Sequence, residues 1–191
     1  MKKLILAVAL MMLIPSQSLA KESPESMFMS LPVQIKTFVA GAPVSYPDKR
    51  LGASIGYNSP TLTAITVYLY DQGIENVEDG IDSDVIRQSK EMAMNDIREV
   101  ERMGIYRNVE IIADDKAEFD IGGTDPLKML FASYSCDMVD QDSGGSYHVI
   151  SDLYVAGMKG YICKVRITRS PDANEAEIKE VLTAIFSKIS K

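Results

Sequence analysis

The chain has 191 residues, 46% of them hydrophobic, and a net charge of −7 from 20 Lys and Arg against 27 Asp and Glu. That length and apolar content support one domain with a full core. The acidic balance, with no Lys/Arg cluster, excludes the basic stripe that nucleic-acid binding needs.

The opening MKK is followed by the apolar run LILAVALMMLI and the small-residue stretch PSQSLA. This is the order of a secretory signal peptide, cleaved after Ala20. The apolar run is shorter than the ~20 residues that cross a bilayer, and no later segment approaches that length. The expectation is a leader over 1–20 and a single domain over 21–191, exported to a bacterial periplasm and without a membrane span. Loss of Lys2 and Lys3 makes that domain two units more acidic. Residues 21–30 read as a loose lead-in. Pro32, Pro43 and Pro47 leave room for one short strand, VQIKTFV, before a second strand in LGASIGYN.

After the turn NSPTLT, the segment TAITVYLY alternates Ile65, Val67 and Leu69 with Thr66, Tyr68 and Tyr70, the period of a half-buried strand. An acidic loop leads to a helix from about Asp84 to Met103, capped at Asp82 or Ser83 and closed by Gly104. Its stripe of Ile86, Ala93, Ile97, Val100 and Met103 is expected to lie on the Ile65–Val67–Leu69 face. NVEIIA and AEFDI read as two short strands around a turn at DDK. LKMLFASYSCDMV, SYHVISDLYVA and GYICKVRIT read as three longer ones, joined by loops short enough for antiparallel neighbours. The chain ends in an amphipathic helix carrying Ile178, Val181, Leu182, Ile185, Phe186 and Ile189, capped by Asp172 or Asn174. The predicted fold is α+β: an antiparallel β-sheet meander packed with a long mid-chain helix and a C-terminal helix.

This order of elements resembles the PsbP-like sandwich, named for an extrinsic subunit of the photosystem II oxygen-evolving complex. The runs SIGYNSP, TVYLYDQG, DGIDSDVIRQ and KGYICKVRIT are similar to those of uncharacterised exported bacterial proteins. The resemblance covers residues 51–191 and brings no active-site residues. It implies a non-enzymatic accessory role in contact with a periplasmic protein partner.

The candidate chemistry is thin. Gly52-Ala53-Ser54-Ile55-Gly56 matches the G-x-S-x-G nucleophile elbow, which works as a strand-to-helix turn, but here a second strand follows. His148, the sole histidine, lies mid-strand and is expected to point outward. Met92 and Met94 diverge by about 200° on a helix and cannot share a copper ion; Met27 and Met29 can only if extended. The acidic loops ENVEDGIDSD and DMVDQDSGG lack the distal glutamate of a calcium loop. The expectation is therefore no catalytic residue, no metal ligand and no cofactor. Export favours oxidation of Cys136 and Cys163, whereas a meander puts a strand between them; the sequence leaves their pairing open.

Two uses remain. One is a protein-binding face formed by His148, Asp152, Tyr154, Lys164 and Arg166, taken to share the outward side of the last two strands. The other is a small-molecule or lipid carrier whose ligand sits between the C-terminal helix and a sheet bearing Tyr68, Tyr70, Tyr134, Tyr154 and Tyr161.

Overall fold

The computed structural model describes residues 21–191; the leader expected over 1–20, with cleavage after Ala20, lies outside the described residues. At the centre of the sheet lie two strands far apart in sequence, β5 (Ala64–Tyr70) and β9 (Tyr161–Arg169), paired antiparallel with Val67 opposite Val165. On one side of them run β4 (Ala53–Asn58) and the short β1 (Gln34–Ile35), β2 (Phe38–Ala40) and β3 (Val44–Ser45). On the other side runs the meander of β8 (Ser146–Met158), β7 (Leu127–Val139) and β6 (Tyr106–Phe119). Among the described residues the sheet has nine strands, all antiparallel, in the order β1-β2-β4-β5-β9-β8-β7-β6 with β3 on β4. The α+β class, the mid-chain helix α2 (Asp84–Arg102) and the C-terminal helix α3 (Glu175–Ile189) are as expected. Ser83 caps α2 by accepting from the Ile86 amide, and Gly104 follows its end at φ 74°.

Three local readings change. Residues 21–30 are not loose: Pro24–Met29 forms a short helix, α1, capped by Ser23, with Met27 and Phe28 buried. Ser followed by Pro is an N-cap and first-turn signature that polarity obscured. VQIKTFV is a tight hairpin of β1 and β2, because Lys36 turns the chain at φ 54°. DDK is no turn; β6 runs unbroken over 14 residues, with register shifts near Glu110 and Ala113 that absorb the irregular pattern.

The largest correction concerns α2. It packs with Ala132, Tyr134, Leu153, Val155 and Ile162, on the face opposite Ile65, Val67 and Leu69. Those three aliphatics, with Cys163, Val165 and Ile167, belong to the other core, under α1 and the apolar stripe of α3. The sheet is covered on both faces, so an alternation that looked like core and surface is core and core.

Cys136 and Cys163 are free and buried. Cys136 lies opposite Val149 on β8 and Cys163 opposite Ala156, so a strand separates them, and they face opposite sides of the sheet. Burial pushes their thiols up, to about 11 and about 12.

The loop between β5 and α2 crosses the β8–β9 hairpin, making paired backbone bonds between Gly80 and Gly157 and bridging Val77 to Gly160. A Cβ at Gly157 would stand 1.8 Å from the Glu78 carbonyl oxygen. Gly157→Ala therefore forces this loop off the hairpin. A loss of about 1–3 kcal/mol is expected, read as a lower midpoint in chemical denaturation, against little change for an alanine at exposed Gly123, where a Cβ meets only an ordinary contact at 3.6 Å.

Candidate ligand-binding clefts

The five residues expected on one face are divided between two. His148, Asp152 and Tyr154 project from β8 to the α3 side, and Lys164 and Arg166 project from β9 to the α2 side. Alternation separated the two sets of side chains on each strand, but both sides are covered, Asp152 of the supposed outward set is buried, and the two outward sets lie on opposite faces of the sheet. In the actual register Tyr154 stands opposite Val165 and Leu153 opposite Arg166.

On the α3 side, Asp152 is 3% exposed. One of its carboxylate oxygens accepts from the Ser133 hydroxyl at 2.6 Å and the other from Arg169 Nε at 2.7 Å; Arg169 also forms an ion pair with Glu175 at 2.9 Å. This buried pair forms the floor of a cleft of about 480 Å³ between α3 and the β6–β8 end of the sheet. Its apolar walls are Phe119, Phe131 and Tyr154 on the strands and Ile178 and Leu182 on the helix. Tyr154 packs edge-on against Phe119 with centroids 5.6 Å apart and tilted against Phe131 at 4.8 Å. Burial drives its phenol well above the ordinary tyrosine range.

On the α2 side, Tyr68 and Tyr70 of β5 flank Lys164, whose Nζ lies 4.7 Å and 5.7 Å from the two ring centroids. Together with Leu51, Ser89 and Met92 they line a groove of about 310 Å³ beside α2. Burial, and then the neighbouring Arg166, push the Lys164 amine down. Arg166 runs under the helix and donates to the Ala93 carbonyl at 3.0 Å. Of the remaining tyrosines, Tyr134 is buried beneath α2 and Tyr161 is docked against the N-terminal segment, donating to the Glu22 carbonyl at 2.9 Å. The tyrosines therefore do not line one space.

His148 belongs to a polar cluster that sequence reading missed. Its Nδ1 is 3.1 Å from Asp137 Oδ1 and its Nε2 is 3.3 Å from Ser135 Oγ, while Asn108 donates to the other Asp137 oxygen at 2.7 Å. Asn108 and His148 hold the Asp137 carboxyl below the usual range. The signal was available: Ser135 and Asp137 alternate on β7 opposite the only histidine. The connectivity is that of a Ser-His-Asp relay, but the His148 side chain is 52% exposed, so water competes for each bond and the site does not desolvate a nucleophile. Ser54 is buried and bonded to the Tyr46 hydroxyl at 2.9 Å, in a strand that runs into β5 rather than a helix, so it is no elbow.

Asp140 is spent within its own turn, accepting from the Asp142 amide and the Ser143 hydroxyl. Met27 and Met29 sit on helix α1, one buried and one exposed, and point apart. Among the described residues, no group of three His, Cys, Asp or Glu side chains is placed to hold a metal ion, and no helix is long and apolar enough to cross a membrane. In comparisons with known proteins, no family model and no curated sequence matches the chain. The resemblance to the PsbP-like sandwich thus rests on the order of elements alone.

Two outcomes are expected. Asp152→Ala leaves the Arg169 guanidinium with only the exposed Glu175 and the Ser133 hydroxyl without its acceptor, and should cost about 1–3 kcal/mol, measured by denaturant unfolding. A serine-reactive fluorophosphonate should leave the native protein unlabelled; labelling that Ser135→Ala abolishes would make the exposed relay a working nucleophile.

Proposed function

We propose that this protein is an exported, non-enzymatic binding protein that holds a small apolar or amphiphilic molecule in the cleft between α3 and the β6–β8 end of the sheet. The observation that carries this reading is the cleft itself. About 480 Å³ is walled by Phe119, Phe131 and Tyr154 and floored by a fully partnered Asp152–Arg169 pair. Ligand sites combine such apolar walls with a few fixed polar groups at this size. The polar floor orients a ligand, and its partnered charges supply no free acid, base or nucleophile. Export is supported by the basic, apolar and small-residue order of residues 1–20.

A protein-binding accessory role is the second reading, and one observation favours it. The outermost strand β6 is a 14-residue edge carrying exposed Ile111 and Ile112, beside the mouth of the same cleft. Such an edge accepts an added strand from a partner.

Ala117 lines the cleft from β6 and is only half-buried at the margin of the core, so a larger side chain there projects into the cleft. The neutral probe N-phenyl-1-naphthylamine should bind the native protein saturably, and Ala117→Trp should weaken it about tenfold at an unchanged melting temperature. Equal binding by both would remove the cleft as the site and leave the β6 edge.

A further inference from the structure

Helix α2 lies over β6, β7 and β8 and stops short of covering β5. The groove left beside it has an unusual charge content. Lys164 and Arg166, two residues apart on β9, both point to this side, and among the described residues neither has an ion pair with a carboxylate. Yet the chain carries a net charge of −7, so carboxylates are plentiful elsewhere. Asp96 borders the groove, but it is exposed at the rim and forms no ion pair with Lys164. Two adjacent, partly buried cations whose nearby carboxylate is the exposed rim residue Asp96, with no close ion pair to either, repel each other and forfeit hydration.

A second, independent observation comes from the helix wall. Ser89 is 1% exposed and lines the same groove, where its hydroxyl stands beside the Tyr70 hydroxyl but makes no hydrogen bond of full geometry among the described residues. Buried hydroxyls are nearly always bonded, so one without a well-aligned partner in a groove wall marks a place for a ligand acceptor. The rest of the lining is mostly apolar or aromatic, led by Tyr68, Tyr70, Leu51 and Met92, with one polar amide at Gln72. Leu51 and Met92 are both about half exposed, which leaves an apolar mouth.

We propose that this groove is a second binding site, for a small organic anion whose acid group pairs with Lys164 and accepts from Ser89, and whose apolar body lies against Tyr68, Tyr70 and Met92. A carboxylate there supplies Lys164 with a close ion pair and Ser89 with a well-aligned acceptor together. The tyrosine rings flank the amine and present edges and faces to an alkyl or aromatic body. The site lies on the opposite face of the sheet from the α3 cleft and does not depend on it.

The chain contains no tryptophan, so Met92→Trp places a reporter at the mouth of the groove alone. Octanoate should shift the emission of the introduced indole saturably, and the uncharged octanol should bind at least about tenfold more weakly. Adding Lys164→Met should erase that preference while melting shows the fold retained, since the change removes a cation that has no ion-pair partner. Lys164→Arg should keep the preference. Octanol binding as tightly as octanoate, no saturable response to either, or an unchanged preference in the Lys164→Met background would each overturn the assignment.

Discussion

Everything in this fold depends on burying both faces of the two central strands. β5 and β9 meet in register, and their odd-numbered residues, Ile65, Val67, Leu69, Cys163, Val165 and Ile167, form a continuous apolar sheet surface under α1 and α3. Their even-numbered residues, Tyr68, Tyr70, Ile162, Lys164 and Arg166, form a second surface that is aromatic and cationic rather than aliphatic. Burying an apolar surface is favourable without further conditions. A surface with two cations can be covered only where their polar heads find partners, and Arg166 does so by donating to a carbonyl of the helix that covers it.

That difference explains where the grooves lie. The α2 face is aliphatic over β7 and β8, where Ala132, Leu153 and Val155 receive Ile86, Ala93 and Ile97. Toward β5 the charged and hydroxylated residues stop the helix from closing down, and a groove remains. On the other face α3 is held at its N-terminal half by Glu177 and Glu180, which bind Thr37 and Lys36 of the β1–β2 hairpin, and near its end by Ser187, which donates to the Ile121 carbonyl. The buried Asp152–Arg169 pair lies between helix and sheet and keeps them apart there. Both clefts therefore sit where a buried charge interrupts aliphatic packing.

The polar cluster at His148 shows the converse. Ser135, Asp137 and His148 have the connectivity of a hydrolase relay, but they stand at the open margin of α3, where His148 is half exposed to solvent. Connectivity alone does not activate a hydroxyl; exclusion of water and preorganised donors do. Helix coverage, more than residue type, separates a site from a hydrogen-bonded surface on this sheet.

Local rules carried much of the architecture. The period-two strands, the Ser83 and Asn174 caps, the short loops of the meander and the amphipathic stripe of α3 were all legible, because each is set by residues within a few positions of one another. What the residues could not declare is which side of a strand meets which helix. Alternation states that two sets of side chains face opposite ways, but pairing Leu153 with Arg166 rather than with Val165 is decided by register between strands. For that reason Lys164 and Arg166 looked like an outward face shared with Asp152 and Tyr154, and α2 looked like the cover for Ile65 and Val67. Only the tertiary structure, by laying a helix on each side of one sheet, divided the five residues of a supposed surface: Asp152 and Tyr154 line one cleft, Lys164 lines another, Arg166 lies beneath α2, and His148 joins an exposed polar cluster.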